Sequence, residues 1–589
     1  MRKTARTRAA LVAAALLAAW CVGLFARGYW TPDEPREADI AWRMSWQADK
    51  AVPLLAGEAF CEKPPLTYWV AGGAIRLFGT GAWAARLPNL LYALVGALGV
   101  GLLARRSVGP LAGWAAAAAL GTFLLSYQVA IWLATDAPLL AAVSVALLGA
   151  YGGFYAERSA ERLGSYTLMH AALAIGFLSK SAVAWMVPAL ALLALVVWEK
   201  RWHELGRWEL YAGLALQAAL ILTWVWFVYR GPDGIEHLKV FFWNNLAGRF
   251  THLEAPQELQ YAAAHRNTPG KYFIELPMYL WPWTLLVAAA LRRAWVALRA
   301  AGRAIELRPV RFALASALPS LALLSVAATA RNIYLAPALP GFALLLGWWS
   351  RQVVTAPDRW DIRALRATAA LLLLAVVAFA AALLMAQGEA RSSAGQAASI
   401  GVAVLGLIAV LGLIAAAALV YHADAAARSA QLERSQLALL LAYCLLLSAP
   451  ASQLYRDVDA WQDLPGIARA IGRDARQRPL ILMAPDETTR AIIDMYARTD
   501  AELIRGPLDA TAIARLRERL AREPRALVVT LLPGRELAGA LGRMAERLAI
   551  DQRSRAGELP AWIAASGMRI VHRYALPNGR RYALLQAGA

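Results

Sequence analysis

The sequence predicts an all-α polytopic membrane protein with amphipathic interface helices and a small C-terminal α/β domain. Three observations carry that prediction. Of the 589 residues, 59% are hydrophobic and 23 are Trp, with a mean hydropathy of +0.45, too apolar for a water-soluble globule. Apolar residues recur in blocks of about 18–22, the length that crosses a hydrocarbon layer of roughly 30 Å. This character stops near Pro450, after which the chain is Arg-rich and only intermittently apolar.

The formal charge of +20 does not signify a nucleic-acid partner. Lys and Arg lie mostly in short connections between apolar blocks, the pattern left by cytoplasmic retention of basic residues, and no basic stripe with interleaved aromatics occurs. The three cysteines, Cys21, Cys61 and Cys444, form neither a disulfide framework nor a CxxC metal site.

Taken in order, Arg2, Lys3, Arg6 and Arg8 precede an apolar run from Ala9 to Phe25. Ala19-Trp20-Cys21 is a poor cleavage site, so the run reads as an uncleaved first helix with its N-terminus inside. Residues 31–69 then lie outside. Within them Ile40, Met44 and Gln47, with Trp42 and Trp46, set the spacing of a helix lying in the interface. Block 66–79, opening just after Pro64-Pro65, is short enough for a second interfacial helix. Blocks 85–104, 111–131, 134–154, 166–179, 183–198 and 210–229 follow. After a polar segment, 230–275, come 276–291, 312–328, 334–349, 367–386, 397–421 and 437–450. Placing the Arg-rich connections inside and alternating sides gives about 13 spans. That alternation puts 31–69, Asp136, Lys180, 230–275 and the Arg331–Tyr334 turn on one outer face. Residues 451–589 form the second domain, with strands at Pro479–Met483, Ala526–Leu531 and Tyr582–Leu585 and helices at Asp509–Glu523 and Glu536–Ile550. Its roughly 140 residues suffice for a separate core.

Charged residues beside the spans are the functional candidates, since charge is costly in lipid and persists where it works. Asp33-Glu34 at the outer end of the first helix offers a carboxylate to accept a proton or hold an acceptor, and Arg36 and Glu62-Lys63 accompany it. Lys63, held extended before two prolines, suits a phosphate group or snorkels to the interface. Asp136 either caps its helix or works as a carboxylate. Lys180 and Arg331 neutralise a lipid phosphate or anchor to headgroups, and Tyr334 can donate its hydroxyl to the same anion. His265, unaccompanied at metal-helix spacing by His237 or His252, reads by itself as structural. No Gly-rich phosphate loop, GxSxG or HExxH occurs, which removes ATP-driven transport and zincin-type proteolysis.

Together these motifs resemble the GT-C membrane glycosyltransferases, and most closely the bacterial aminoarabinose transferases and related protein O-mannosyltransferase-like members. The matching residues are Asp33-Glu34-Pro35-Arg36-Glu37-Ala38, Glu62-Lys63-Pro64-Pro65-Leu66, Tyr68-Trp69, Thr135-Asp136 and Gly176-Phe177-Leu178-Ser179-Lys180. Further on come Phe241 to Leu246, Arg249-Phe250, His265, Trp281-Pro282-Trp283 and Tyr334 to Pro340. They recur in family order across residues 10–350. The chain departs from the family in Lys180-Ser181, where Lys-Gly is usual, in Arg331-Asn332, which replaces Lys-Leu-Pro, and in extra residues around Leu253–Gln260.

The resemblance implies a GT-C fold for 1–450, with 451–589 as a periplasmic domain, in a monomeric protein of the bacterial inner membrane. It implies inverting transfer of a sugar from a polyprenyl (undecaprenyl) phosphate on the periplasmic side, aminoarabinose to lipid A phosphate being the first expectation. Carried over by position, Asp33 is the principal catalytic carboxylate and Asp136 a second. Arg36, Lys63, Lys180, Arg331 and Tyr334 hold the donor. Glu62 and His265 match positions that bind a metal ion, zinc, and no other cofactor is implied. The alternatives are hexose or mannose transfer to protein or an envelope glycan, a lipid-linked-sugar flippase, and an interaction protein working through residues 451–589. A flippase needs polar residues through the depth of the bilayer, whereas here they gather on one face.

Overall fold

The computed structural model describes residues 2–244, 268–327, 331–387, 412, 428–475, 478–497, 499, 501–506, 508–532, 560, 562–563 and 566–588. Helix α1 (Arg2–Phe25) leads through a turn into α2 (Glu34–Trp46). Glu34 and Glu37 lie in the first turn of α2, where carboxylates complement the positive end of the helix dipole. Ile40, Met44 and Gln47 are buried, Trp46 is 57% exposed and its ring meets that of Trp42 edge-on, as expected of an interface helix. A hairpin follows, β1 (Leu54–Leu55) with β2 (Glu58–Ala59), turned by Ala56 and Gly57, both at positive φ. Helix α3 (Leu66–Phe78) then lies against α2. The contact is close at Gly72, where a Cβ would stand 2.8 Å from the Ala41 carbonyl oxygen.

The membrane part continues with α4 (Ala82–Ser107), α5 (Pro110–Thr122), α6 (Leu124–Ile131), α7 (Asp136–Tyr155), α8 (Ser159–Lys180) and α9 (Val183–Glu199). Next come α10 (Trp208–Ala212), α11 (Leu214–Arg230) and α12 (Gly234–Leu238), then α13 (Lys271–Tyr279), α14 (Thr284–Ala301) and α15 (Arg308–Val326). A 3-10 turn (Asn332–Ala338) runs into α16 (Leu339–Thr355), followed by α17 (Arg359–Gln387) and α18 (Arg428–Trp461). Among the described residues five helical segments are long and apolar enough to cross a membrane. The count rises to seven if the pairs α5–α6, bent by 66°, and α13–α14, bent by 115°, are each one span. The chain is thus built as a multi-pass membrane protein. The block at 397–421 apart from residue 412, and residues 245–267 of the polar segment 230–275, including Arg249-Phe250 and His265, lie outside the described residues.

Small residues let these helices approach. At Gly149 of α7 a Cβ would sit 2.6 Å from the Ser165 carbonyl oxygen of α8, the small-residue packing that replaces hydrophobic drive within a bilayer. One continuous apolar core joins α1 to α4–α9 and α13–α18.

Beyond α18 lie α19 (Leu464–Ala475), β3 (Leu480–Met483), α20 (Glu487–Ile492), β4 (Ala501–Ile504), α21 (Ala510–Arg522), β5 (Leu527–Leu532), β6 (Met568–Ala575) and β7 (Arg581–Ala587). The sheet order is β4-β3-β5-β7-β6, with β3 parallel to β4 and β5 and β7 antiparallel to β5 and β6. Two apolar clusters form on this sheet, one with α19 and one with α21. Asp486 and Asp509 cap α20 and α21, each accepting a backbone N–H at 2.8 Å. The helix expected at 536–550 lies outside the described residues.

Candidate active site

The turn after α1 is fixed by a buried ion cluster. Glu34, fully buried, accepts from Arg27 at 2.5 and 3.1 Å, from Arg86 Nε at 2.8 Å and from the backbone N–H groups of Trp30 and Leu133 at 2.9 and 2.8 Å. Its oxygens are fully occupied, as burial of a carboxylate requires. Of the Asp33-Glu34 pair, Glu34 is therefore the architectural member, and Asp33 is left 24% exposed at the head of α2.

Asp33 faces Arg331. The guanidinium Nη2 donates to both carboxylate oxygens, at 2.6 and 2.8 Å, and Arg36 adds a contact at 3.2 Å. Burial pushes the Asp33 carboxyl up, but Arg36 and Arg331 outweigh it and hold the group well below the usual carboxylate range. Arg331 moves the other way: burial lowers its pKa, Asp33 raises it, and the balance is upward.

One turn along α2, Glu37 gathers a second set. It accepts from Lys63 Nζ at 2.5 Å, from Arg36 Nη2 at 2.7 Å and from the Tyr68 hydroxyl at 2.8 Å. Burial raises its pKa, Lys63 and Arg36 overcome that, and the carboxyl settles at about 2. Arg36 is only 5% exposed, and its guanidinium serves Asp33, Glu37 and Glu487, the last at 2.5 Å.

The remaining candidates meet at the ends of α7 and α8. Lys180 Nζ bonds Asp136 at 2.5 Å and lies 5.1 Å from the centre of the Tyr334 ring. Asp136 is the first residue inside its helix, with Thr135 at the cap position, and its carboxylate is taken up by Lys180. Ser181, which stands where the family usually has Gly, holds φ +65°, a left-handed conformation that favours glycine. Tyr334 belongs to the same turn as Arg331, whose carbonyl accepts from the Tyr272 hydroxyl at 2.8 Å. Two side-chain sets result, Glu37–Arg36–Asp33–Arg331 and Asp136–Lys180, and the turn that carries both Arg331 and Tyr334 sets them side by side, its Tyr334 N–H donating to the Arg331 carbonyl at 3.0 Å.

Of the residues the sequence singled out, Asp33, Arg36, Lys63, Asp136, Lys180, Arg331 and Tyr334 are thus brought together. Glu62 lies within electrostatic reach of Arg36, and His265 is outside the described residues. No group of three His, Cys, Asp or Glu side chains converges as a metal site among the described residues. Of the Glu62–His265 pair that the resemblance assigns to a metal, only Glu62 is among the described residues. Glu37 and Glu487 were missed. Glu37 had a signal, its position one helical turn beyond Asp33, whereas Glu487 lies in a different domain.

Fold and site define a class: a multi-pass protein that carries a cluster of paired cations and carboxylates beside an interface helix, in contact with an α/β domain. The fold is that of ArnT from Cupriavidus metallidurans. Its crystal structure bound to undecaprenyl phosphate matches with TM-score 0.68 and 20% identity over 98% of this chain and 97% of that one. The apo structure matches with TM-score 0.66 and 21% identity over 99% and 98%. The family described as dolichyl-phosphate-mannose-protein mannosyltransferase matches residues 62–227. Among curated proteins the chain is similar to an undecaprenyl phosphate-alpha-4-amino-4-deoxy-L-arabinose arabinosyl transferase of Pseudomonas aeruginosa, 30% identical over 329 residues, 56% of this chain and 57% of that protein. The likeness to the enzyme of that name from Yersinia enterocolitica is 27% over 369 residues, 62% of each. The match thus spans little more than half the length of the first of these relatives.

Proposed function

We propose that this protein is an inverting glycosyltransferase that moves a sugar from undecaprenyl phosphate to an acceptor at the periplasmic face of the inner membrane, and that the transfer is of aminoarabinose to a lipid A phosphate. One observation carries the reading. Lys63, Lys180 and Arg331, from three separate segments, each hold a carboxylate at or beside Asp33 and Asp136, a cluster whose cations can be traded to an incoming phosphate. Similarity to the arabinosyl transferases supports the choice of sugar and acceptor.

The donor's phosphate takes Arg331 and Lys63, with Lys180 and Tyr334 beside them. As the sugar–phosphate bond breaks, charge builds on the departing phosphate, and cations fixed there lower the barrier most. The acceptor attacks the anomeric carbon from the opposite side, which inverts it. Asp33, held well below the usual carboxylate range by Arg36 and Arg331 in the unliganded protein, enters the reaction ionised. It orients the acceptor and stabilises positive charge developing on the sugar, which suffices for a phosphate acceptor that already carries its charge. Arg36, enclosed by three carboxylates, frames Asp33. Residues 1–450 form the catalytic domain with about 13 spans, and 451–589 stand in the periplasm. Glu62 and His265 would be the residues to hold a zinc ion in this reading, which metal analysis of the purified protein and of His265→Ala tests.

Mass spectrometry of lipid A and of free polyprenyl-phosphate sugars tests the whole. Deletion and Asp33→Asn should both remove one pentosamine mass from lipid A and let the lipid-linked sugar accumulate. Unchanged lipid A in the deletion strain would overturn the acceptor. A second reading, hexose transfer to protein, is favoured by the mannosyltransferase match over residues 62–227, and the glycoproteins of the same strains decide it.

A further inference from the structure

The Asp33 turn is held as much by the far end of the chain as by the membrane helices. Asp459, near the end of α18, accepts from the Gly28 N–H at 2.8 Å and from Trp30 Nε1 at 2.7 Å. Gln462 takes the Thr31 N–H and hydroxyl at 3.1 and 3.0 Å, and Thr488 of α20 donates to the Pro32 carbonyl at 3.2 Å. Beside Thr488, Glu487 Oε2 holds Arg36 Nη1 at 2.5 Å.

Most ion pairs between an exposed carboxylate and an arginine contribute little. This one differs in its other partner. Arg36 is 5% exposed, and its remaining ion-pair partners are Asp33 and Glu37. Removing Glu487 leaves a buried guanidinium nitrogen without its acceptor, and the guanidinium then turns further onto the two carboxylates it already touches. Either movement shifts Asp33.

We propose that Glu487 is a positioning residue for sugar transfer: through Arg36 it sets the orientation of Asp33, so that the C-terminal α/β domain completes the active site. This rests on the transferase reading given above. Glu487 reaches Asp33 through Arg36, so its loss acts on the chemical step and leaves donor affinity largely unaltered.

Steady-state transfer from a polyprenyl-phosphate sugar, with full-length protein in lipid nanodiscs, tests the proposal. Glu487→Ala and Glu487→Gln should each lower kcat about tenfold to a hundredfold, the scale of a displaced reacting group. Donor KM should stay within about twofold, the signature of an interaction needed only in the transition state. Glu487→Asp, which keeps the charge, should recover part of the rate, and Glu518→Ala, on the exposed face of α21, should match wild type. The Gln variant preserves size and one acceptor oxygen, so it keeps the test open if the Ala variant fails to fold. Wild-type kcat in Glu487→Gln, or a rise in KM alone, would overturn the positioning role. Absence of transfer by wild-type protein from any polyprenyl-phosphate sugar would instead remove the function on which it rests.

Discussion

Two adjacent carboxylates at the head of α2 have opposite fates, and the difference can be measured. Asp33 is 24% exposed and partnered by guanidinium groups that a ligand can reclaim, whereas Glu34 is sealed with Arg27 and Arg86 at 0% exposure. Asp33→Asn is expected to abolish transfer while leaving expression and thermal midpoint near wild type. Glu34→Gln is expected to cost about 3–5 kcal/mol, because it leaves buried cations uncompensated, and to be read as loss of folded protein on size exclusion. A wild-type melting curve for Glu34→Gln would contradict the assignment. The depressed Asp33 pKa makes a further claim. A lowered carboxyl pKa means that its ion pairs persist above the usual carboxylate range and loosen only as pH falls through the folded value. The kcat/KM for the donor, which reports the free enzyme, should therefore carry no acid limb from Asp33 between about pH 5 and 8. A limb in that window that moves in Arg331→Lys would show that Asp33 titrates there.

Among the elements, α2 holds the other unusual carboxyl. Asp39 is completely buried, takes the Ala56 N–H at 2.7 Å through one oxygen and leaves the other without a partner. Burial first, then the neighbouring Asp494, pushes its pKa well above the ordinary value, against the pull of Arg43. A raised acid pKa favours the protonated folded form. Stability is therefore complete below the unfolded value and declines as pH rises toward the folded one. Asp39→Asn should raise the thermal midpoint at pH 8 and flatten its decline as pH rises above the ordinary carboxyl value, followed by tryptophan fluorescence; an unchanged slope would place the proton elsewhere. The helix itself was legible from the spacing of Ile40, Met44 and Gln47, and β3 and β5 from their short, mostly apolar runs. Strand β6 was not, because Arg569, His572 and Arg573 interrupt it and most of its length is exposed. Strand β4, four residues with Glu502 among them at the sheet edge, gives hardly more signal. The charged candidates stood out because charge beside a span is expensive. Their pairing did not, since Asp33 and Arg331 are 298 positions apart and Arg36 and Glu487 are 451 apart. Only tertiary structure decides such partners.

At the scale of the molecule the question is which face of the membrane holds this network. The contacts between the two parts constrain the answer. Asp459, Gln462, Glu487, Thr488 and Asp494 all bind the segment between α1 and the end of α2, so the α/β domain and the Asp33 turn must share one side. Segments carrying Arg105-Arg106 and Arg299 belong to the opposite side if basic residues are retained in the cytoplasm. Single cysteines, introduced after Cys21, Cys61 and Cys444 are replaced, report sidedness directly. Cysteine at Thr80, Glu58 or Glu518 should react with a membrane-impermeant maleimide in cells whose outer membrane has been made permeable. Cysteine at Arg106 or Arg303 should react only after lysis. Labelling of Thr80 and Arg106 from the same side would mean that α4 does not cross, and the alternation that gives about 13 spans would fail at its second helix. Labelling of Glu58 and Glu518 from opposite sides would break the shared face required by the domain contacts, and with it a periplasmic site for a lipid-borne donor.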